Sequence, residues 1–360
     1  MSKPRLLITM GDVAGVGPEI IAGAWDKLRE LADVAVVGDA AWMAKCDPSV
    51  PVIQGTGRDL SGVSPGEVSA AAGGAAYDFL CEAIDRCMAG EADGVVTAPL
   101  HKEGLHAAGV PHPGHTEILA ERTGAASHVM LLHGPNFGST DASKGRPPQP
   151  PLAKGGLGGV VSSAYPPLSR GGLGEGPPDP SPHFDDTKSL TVAHVTLHTG
   201  LRDIFAHITT DAILEKIRLL AEIRPKLRPG QTRIAVAGLN PHAGDGGLFG
   251  DEEARLIAPA IERAKAEGID AVGPVSSDTL FLRAAAGEFG GVVVMYHDQG
   301  HIAMKLRCGW DLVNVTAGLP IVRTSVAHGT AYDIAWKGLA DPSSMVEATR
   351  VASRLVKSDE

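Results

Sequence analysis

The sequence from Gly291 to Lys305 reads Gly-Val-Val-Val-Met-Tyr-His-Asp-Gln-Gly-His-Ile-Ala-Met-Lys, and it decides the fold class. Its first residues are apolar over a length that is typical of a buried strand and too short for a helix, and polar residues follow at once. Ligands of open α/β sheets bind just beyond the carboxyl ends of parallel strands. The stretch therefore predicts a strand that presents a potential metal ligand, His297, a carboxylate, Asp298, and a cation, Lys305, at a binding site.

Two other segments show the same pattern of an apolar run followed by a histidine. A β-rich run over residues 190–197 ends at His198, and a short strand over residues 233–238 precedes a glycine-rich loop with His242. Imidazole is the commonest side-chain metal ligand, and three such ligands with open remaining positions make a catalytic site. The alternative is that each histidine is a surface or hydrogen-bonded structural residue, and the residues alone leave both interpretations open.

Strands and helices alternate along the rest of the chain. A strand from Arg5 to Thr9 enters a glycine-rich turn, and helices are predicted over residues 66–87, 211–227 and 252–267. This alternation predicts an α/β protein with mainly parallel sheets covered by helices on both faces. The turn is not a dinucleotide-binding fingerprint, because Ile20 occupies the position of the third glycine.

The composition restricts the class of protein. A chain of 360 residues suits two domains, and its formal net charge of -10 argues against a nucleic-acid partner or an anionic membrane. The four cysteines form no CxxC pair, so we expect reduced thiols. With no signal peptide and no apolar run of about 20 residues, the sequence predicts a cytoplasmic protein.

Residues 138–188 differ in composition from the rest of the chain, since Pro, Gly and Ser dominate. The ten residues from Pro150 recur nearly unchanged from Pro166. Two copies with few large apolar residues cannot build a solenoid core, so we expect a mostly disordered insertion whose deletion leaves activity intact. The alternative, a phosphate-binding loop, lacks the GK[ST] ending and a flanking helix.

Several phrases, in order along the chain, resemble the 4-hydroxythreonine-4-phosphate dehydrogenase family of vitamin B6 biosynthesis. They are Met-Gly-Asp-Val-Ala-Gly-Val-Gly-Pro-Glu at 10–19, Thr-Ala-Pro-Leu at 97–100, Gly-His-Thr-Glu at 114–117, Asn-Pro-His-Ala-Gly at 240–244, Tyr-His-Asp-Gln-Gly at 296–300 and Gly-Leu-Pro at 318–320 with Arg-Thr-Ser at 323–325. The chain departs from the family pattern at Leu197, where Thr is usual, at His101, where Asn is usual, and in the insertion, which replaces a short hairpin.

The resemblance implies a set of site residues. Three histidines would bind one divalent metal ion (Zn, Mg, Mn or Co), with the ligands shared between the two subunits of a homodimer: His198, His242 and His297. Five residues would contact the substrate: His115, Thr116, Lys305, Asn314 and Arg323. Asp278, in a predicted loop, and Asp298 would line the site. Four residues would hold NAD or NADP in a loop similar to that of isocitrate and isopropylmalate dehydrogenases: His328, Gly329, Thr330 and Asp333.

The resemblance also implies the fold and the reaction. We expect the two-domain isocitrate/isopropylmalate dehydrogenase-like fold with the active site in the interdomain cleft: residues 1–108 with 324–360 form one α/β domain, and residues 109–323 form a second with the metal site and the dimer interface. The expected reaction is NAD(P)-linked oxidation of the C3 hydroxyl of 4-phosphohydroxy-L-threonine, followed by decarboxylation. The general base stays open among Asp278, Lys305 and a metal-bound water.

Two other functions stay open. Residues 301–305, 313–318 and 332–336 resemble the paralogous branch that oxidises D-threonate or D-erythronate 4-phosphate. The second alternative is that the protein is an inactive ligand-binding homologue whose active site the insertion disrupts. Residue patterns do not choose among these substrates, between NAD and NADP, or among the metals.

Overall fold

The computed structural model describes residues 3–112, 114–135, 137 and 188–357, so the predicted insertion, apart from Lys188, lies outside the described residues. The strands are β1 (Arg5–Thr9), β2 (Asp33–Gly38), β3 (Val52–Gln54), β4 (Gly94–Thr97), β5 (Val129–Gly134), β6 (Leu190–His194), β7 (Ile234–Ala237), β8 (Ala271–Val275), β9 (Gly291–Val294), β10 (Val313–Ala317) and β11 (Val322–Val326). The α-helices are α1 (Gly17–Leu31), α2 (Ala40–Ala44), α3 (Ala70–Met88), α4 (Lys102–Ala107), α5 (His115–Thr123), α6 (Thr210–Leu227), α7 (Ala258–Ala266), α8 (Ser277–Ala285), α9 (His297–Cys308) and α10 (Ser343–Lys357).

The strands form one sheet in the order β3-β2-β1-β4-β11-β10-β5-β6-β9-β7-β8. Neighbouring strands are parallel except where β10 pairs with β11 and β5, and where β5 pairs with β6. The predicted α/β class with mainly parallel pairing is confirmed, but the strands join into one continuous sheet. Strands β10 and β5 connect two parallel groups that therefore run in opposite directions. The predicted boundaries of the two domains stay a prediction.

The three strands that precede the candidate metal ligands are neighbours. Strand β9 pairs with β6 on one side and with β7 on the other, and both pairings are parallel. Because parallel strands end at the same edge of a sheet, the segments that follow β6, β9 and β7 begin side by side. This confirms that the strand ends carrying His198, His297 and His242 share one edge.

Helices cover both faces of this half of the sheet, as predicted. Alternate residues of a strand point to opposite faces. Val293 of β9 packs in one apolar cluster with Ile217 of α6 and Ile261 of α7, whereas its neighbours Val292 and Val294 pack in another cluster with residues of α8 and α9. Both clusters are buried, which explains why β9 reads as a continuous apolar run.

Several element boundaries differ from the sequence-based predictions for local reasons. Helix α3 begins at Ala70 and not at residue 66, because the Ser69 hydroxyl accepts a hydrogen bond of 3.1 Å from the Ala72 amide and caps the helix there. Strand β6 ends at His194. The predicted helix over 252–267 is a π-helical turn, Glu253–Ile257, that continues into α7.

Three predicted site residues, Asp278, His297 and Asp298, lie in the first turns of helices. Asp278 was expected in a loop but lies in the first turn of α8. His297 and Asp298 are the first two residues of α9, which begins three residues after the end of β9. A carboxylate in a first turn is stabilised by the helix dipole, so both acidic residues suit their positions for structural reasons as well.

None of the helices within the described ranges is long and apolar enough to cross a membrane.

A buried histidine in β5 predicts how stability depends on pH. His133 is 1% exposed, its Nδ1 lies 3.0 Å from the Thr191 hydroxyl, and burial lowers the pKa of its ring to about 3. The unfolded chain takes up this proton near pH 6.5 and the folded chain does not, so stability present above pH 6.5 is lost as the pH falls toward 3. Between pH 7 and pH 5, we expect the free energy of unfolding of His133→Asn to fall by about 2 kcal/mol less than that of the wild type.

Urea unfolding at pH 7 and pH 5 measures this effect. The matched control is the exposed His207, whose replacement by Asn should leave the pH dependence unchanged. Equal pH dependence in wild type and His133→Asn would contradict the assignment.

Candidate active site

A cavity of about 650 Å³ lies over the antiparallel centre of the sheet. It gathers nine of the predicted site residues: His115, Thr116, His198, His297, Lys305, Asn314, Arg323, His328 and Gly329. Helices α5 and α9 approach it with their first turns, and the segments that follow β4, β6 and β11 contribute the remaining walls. His242, Asp278, Asp298, Thr330 and Asp333 do not line it.

The pairing register of the strands builds the floor of the cavity. Asn314 of β10 lies opposite Ser325 of β11 and Leu132 of β5, and Arg323 lies opposite Thr316. Residues two apart on a strand share a face, so the side chains of Asn314, Arg323 and Ser325 point to the same side of the sheet. The sequence predicted both Asn314 and Arg323 in the site, and the register explains why they are adjacent.

Arg323 is a buried cation with neutral partners. It is 3% exposed, and its guanidinium donates to the hydroxyls of Thr316 (3.0 Å) and Thr97 (2.7 Å), while its Nε has no hydrogen-bond partner. Burial lowers the pKa of Arg323 to about 10, and the carboxylate of Glu117 opposes that shift. Hydroxyl groups orient the guanidinium without neutralising it, so its charge is available to an anionic ligand.

Positive charge dominates the cavity. Lys102, Lys216, Lys305 and Arg323 line it, and Glu117 is the one carboxylate among the described lining residues. A small ligand with several negative charges therefore fits this cavity, and a cationic ligand does not. The sequence reading missed Lys216, because it lies within α6 and nothing in the helical pattern distinguishes it from a surface lysine.

The first turn of α5 adds hydrogen-bond donors and a neutral imidazole. His115 and Thr116 are the first two residues of this helix. Burial and the neighbouring Arg323 hold the pKa of His115 well below its usual value, so the ring is neutral near pH 7. A helix N-terminus favours an anion, as predicted for this turn.

Two further histidine rings, those of His301 and His194, pack next to His297. The ring of His301, one helical turn further along α9, stacks on His297 at 3.6 Å between centroids and 8° between planes. His301 Nδ1 lies 3.1 Å from Nε2 of the buried His194, and burial with the proximity of His297 lowers the pKa of His301 to about 4. His194 and His301 were not predicted as site residues, although the i, i+4 spacing of His297 and His301 was a readable signal.

The predicted metal ligands come together only in part. The rings of His198 and His297 lie 6.2 Å apart between centroids, and burial followed by the charge of Lys102 lowers the pKa of His198. Asp298 Oδ1 lies 2.7 Å from Nδ1 of His297, an arrangement that orients a ligating imidazole. The lowered pKa of His198 favours the neutral imidazole that a metal ligand must be, and the two rings are close enough to take two positions around one divalent ion.

The third predicted ligand lies elsewhere. His242 belongs to a separate cavity of about 410 Å³, where its Nδ1 lies 3.9 Å from the Asp278 carboxylate. Within the described residues of this one chain, no group of three His, Cys, Asp or Glu side chains could hold a metal ion. The residues therefore fit the predicted metal only if His242 comes from a second copy of the chain.

The predicted cofactor loop packs against the first glycine-rich turn. His328 and Gly329 line the cavity, and a Cβ added to Gly329 would meet open space. The Val16 amide donates to the Thr330 carbonyl at 3.0 Å, and the Tyr332 hydroxyl donates to the buried Asp12 carboxylate at 2.6 Å. The wall of the cavity is therefore open at Gly329. Asp333 is exposed, and its carbonyl accepts a hydrogen bond from Lys337 at 2.6 Å.

The fold and the site together define a class. The chain is an α/β protein with a cationic, histidine-lined cavity, whose charge suits a small anionic ligand.

Comparison with known proteins identifies the family. The family model described as pyridoxal phosphate biosynthetic protein PdxA matches residues 20–144 and 183–352. The chain is 38% identical over 99% of its length to 4-hydroxythreonine-4-phosphate dehydrogenase of Geobacter metallireducens, of which it covers 96%. It is 35% identical over 99% of its length to D-threonate 4-phosphate dehydrogenase of Pectobacterium atrosepticum, of which it covers 100%.

A solved structure agrees with this assignment. The crystal structure of 4-hydroxythreonine-4-phosphate dehydrogenase from Klebsiella pneumoniae matches with a TM-score of 0.74 and 33% identity, over 98% of this chain and 99% of that one. The chain belongs to the PdxA family, as the sequence motifs predicted, and it is an oxidoreductase of that family.

Proposed function

We propose that this protein oxidises the C3 hydroxyl of 4-phosphohydroxy-L-threonine to 2-amino-3-oxo-4-phosphooxybutanoate, which decarboxylates to 3-amino-2-oxopropyl phosphate in pyridoxal phosphate biosynthesis. The reaction uses NAD or NADP and one divalent metal ion. The observation that carries the proposal is the cavity of the PdxA-type fold, whose described lining holds Arg323 together with three lysines and a single carboxylate. A phosphate and a carboxylate on one four-carbon skeleton supply the complementary charges.

The substrate is held by the floor and by one end of the cavity. The Arg323 guanidinium, fixed by Thr316 and Thr97, offers its remaining N–H groups to an anion in a fixed fork. Lys305 adds a second charge, and the helix start at His115 and Thr116 adds donors. Asn314 donates its amide to the Val326 carbonyl at 3.2 Å, which leaves its amide oxygen free to accept from the substrate.

The metal would be held by His198 and His297 of one subunit and by His242 of the partner subunit. It would supply Lewis-acid polarisation of the C3 hydroxyl. Asp298, bonded to Nδ1 of His297, leaves Nε2 of that ring to face the ion. Of the predicted general bases, Lys305 lines the cavity, whereas Asp278 lies beside His242 and would also come from the partner.

Exposed apolar residues support a homodimer built on this half of the chain. Among the described residues, eleven large hydrophobic side chains are exposed, and seven of them lie between positions 201 and 306. They are Leu201, Phe205, Leu248, Phe249, Leu282, Ile302 and Leu306. The loop with His242 lies among them in sequence, so a second copy that covers these residues would also meet that loop.

NAD or NADP would be held by the loop at residues 328–333, and it would supply the hydride acceptor for the oxidation at C3. Tyr332 fixes this loop through Asp12, which is fully buried. We expect Tyr332→Phe to weaken cofactor binding severalfold while the KM for the phosphorylated substrate stays unchanged, because the loop loses its bond to Asp12. The lost donor should also cost about 1–3 kcal/mol of stability.

Initial rates at varied cofactor and varied substrate measure this split. Tyr77, which lies on α3, provides the control Tyr77→Phe, for which neither KM should change. A substrate KM that rises together with the cofactor KM would contradict a role limited to the cofactor loop.

The alternative substrate is D-threonate or D-erythronate 4-phosphate, and the relative from Pectobacterium atrosepticum supports it by name. The deciding experiment follows NAD and NADP reduction by metal-reconstituted protein with 4-phosphohydroxy-L-threonine and D-erythronate 4-phosphate side by side. Reduction with the amino acid supports the proposal, and reduction with the sugar acid alone replaces it by the catabolic activity. No reduction with either, in protein that binds metal, would favour an inactive ligand-binding homologue.

A further inference from the structure

The loop that carries His242 has an unusual backbone. Six consecutive residues have positive φ angles: His242 (54°), Ala243 (55°), Gly244 (81°), Asp245 (43°), Gly246 (68°) and Gly247 (99°). Three of these six are not glycine, and side chains disfavour the left-handed region because Cβ approaches the backbone carbonyl. Such a turn persists only where its surroundings hold it, and this one presents the candidate metal ligand.

A single buried carboxylate lies under this turn. Glu253 is 6% exposed, and its Oε1 accepts hydrogen bonds from the amides of Leu239 (2.8 Å) and Asn240 (2.7 Å). Its Oε2 accepts from the side-chain amide of Asn240 at 2.9 Å. Burial opposes the charge of Glu253, but the bonds from Asn240 outweigh it and keep its pKa below the usual value. The carboxylate thus satisfies the backbone where the chain leaves β7 and enters the turn.

The turn is folded closely around that carboxylate. A Cβ added to Gly244 would lie 2.8 Å from Oε2 of Glu253, and one added to Gly238 would lie 2.9 Å from the α-carbon of Ala243. Neither glycine could carry a side chain without displacing the turn. The left-handed residues and Glu253 therefore form one packed unit.

A second contact ties the start of the turn to the helix that carries His297. The side-chain amide of Gln299 donates to the Gly238 carbonyl at 2.6 Å and to the Ser277 hydroxyl at 2.7 Å. Gln299 lies two residues after His297 on α9. His242 and His297 of one chain are therefore fixed to the same part of the fold, although in the proposed dimer each serves a different metal site.

We infer that Glu253 is a positioning residue that holds the left-handed turn so that His242 is presented for metal binding. This inference rests on the proposed function, in which His242 is a metal ligand. Glu253 itself touches neither metal nor substrate. Its contribution is conformational, because it makes the disfavoured turn the ground state of the loop before any metal binds.

The test measures metal affinity directly. Purified dimeric protein, stripped of metal, is titrated with Co²⁺, and the dissociation constant is read from the visible absorbance of the bound ion. We expect Glu253→Ala to weaken Co²⁺ binding by about 10- to 100-fold, as loss of a group that orients a ligand typically does. The matched control is Glu262→Ala on α7, whose exposed carboxylate pairs with Lys265 and should leave the affinity unchanged.

A rescue variant separates positioning from general stability. Glycine adopts positive φ freely, so Ala243→Gly lowers the conformational cost of the turn. In the Glu253→Ala background it should restore part of the Co²⁺ affinity, whereas a merely structural defect would not respond. If Glu253→Ala does not fold, Glu253→Gln serves instead, since it keeps the acceptor for Leu239 and Asn240 but sets an amide against the Asn240 side chain.

Each outcome decides the inference. Wild-type affinity in Glu253→Ala, together with lost affinity in His242→Ala, overturns the role of Glu253 and leaves the proposed function intact. Wild-type affinity in His242→Ala overturns the proposed ligand and the inference with it. Weak binding in Glu253→Ala that Ala243→Gly does not improve overturns the positioning role.

Discussion

Replacing Arg323 by methionine is expected to lower kcat/KM by about 1,000-fold while leaving the free protein as stable as wild type or more stable. The two effects have one cause. The guanidinium is buried against the hydroxyls of Thr316 and Thr97 without a carboxylate partner at hydrogen-bonding distance, and its lowered pKa reports the cost of that burial. A bound anionic ligand would pair with this buried charge. Arg323 therefore destabilises the free protein but stabilises its complex with an anionic substrate.

The size of the effect follows from the bonds lost. Two charge-assisted hydrogen bonds at about 1.5–3 kcal/mol each correspond to a factor of about 100 to 10,000 in kcat/KM. The kcat/KM of Arg323→Lys should lie between those of the wild type and Arg323→Met, because lysine keeps the charge but lacks the planar guanidinium. Arg218, an exposed residue paired with Glu267, supplies the control Arg218→Met. Steady-state kinetics and thermal unfolding measure both quantities, and an Arg323→Met protein that is destabilised and fully active would contradict the assignment.

Mixing two inactive variants is expected to restore about one quarter of wild-type activity if the ligands are shared between subunits. His198→Ala and His242→Ala should each lose metal and turnover together. In a mixed dimer, one site combines both defects, and the other has His198 and His297 from one subunit and His242 from its partner. Half of a randomised mixture is mixed dimers, and each of these holds one intact site of two.

A second mixture of two variants serves as the control for this experiment. His198 and His297 line the same cavity of one chain, so mixing His198→Ala with His297→Ala should restore nothing. The variants are unfolded and refolded together, or exchanged at low concentration, and activity and bound metal are measured. Restoration by both mixtures, or by neither, would show that the ligands are not divided in the proposed way.

The sequence predicted the parts of the site that follow from strand ends. His198 and His297 come after apolar runs, and β6 and β9 are parallel neighbours, so the general rule for open α/β sheets placed them correctly. The same rule placed His242 at the end of β7, but the left-handed turn then carries it into a different cavity. Asp tolerates positive φ but Ala does not favour it, so Ala243 gives no sequence signal for a run of left-handed residues, and that departure could not be predicted.

Other features depend on contacts that a sequence does not encode locally. The antiparallel strands β10 and β5 unite two parallel groups, and their pairing joins residues far apart in the chain. Lys216 reaches the cavity from α6, where it also contacts the His128 carbonyl at 3.4 Å. His194 reads as the last residue of an apolar strand, and only the packing of α9 shows that it supports the ring of His301. These are consequences of tertiary geometry rather than of residue pattern.

The end of β5 and the start of β6 are paired neighbours in the sheet, and this position can accept an inserted domain. Gly134, the last residue of β5, lies opposite Leu190, the first residue of β6, so the chain leaves and re-enters the sheet at one point. Three residues after the end of β5, the carbonyl of Phe137 accepts a hydrogen bond of 3.0 Å from the Arg307 guanidinium. The closure entropy of a loop between fixed ends grows by only about 0.6 kcal/mol for each doubling of its length. The junction lies at the start of β6, whereas His198 follows the end of that strand. A fluorescent or affinity domain could therefore be inserted at this junction, away from the active site, while the sheet keeps its register.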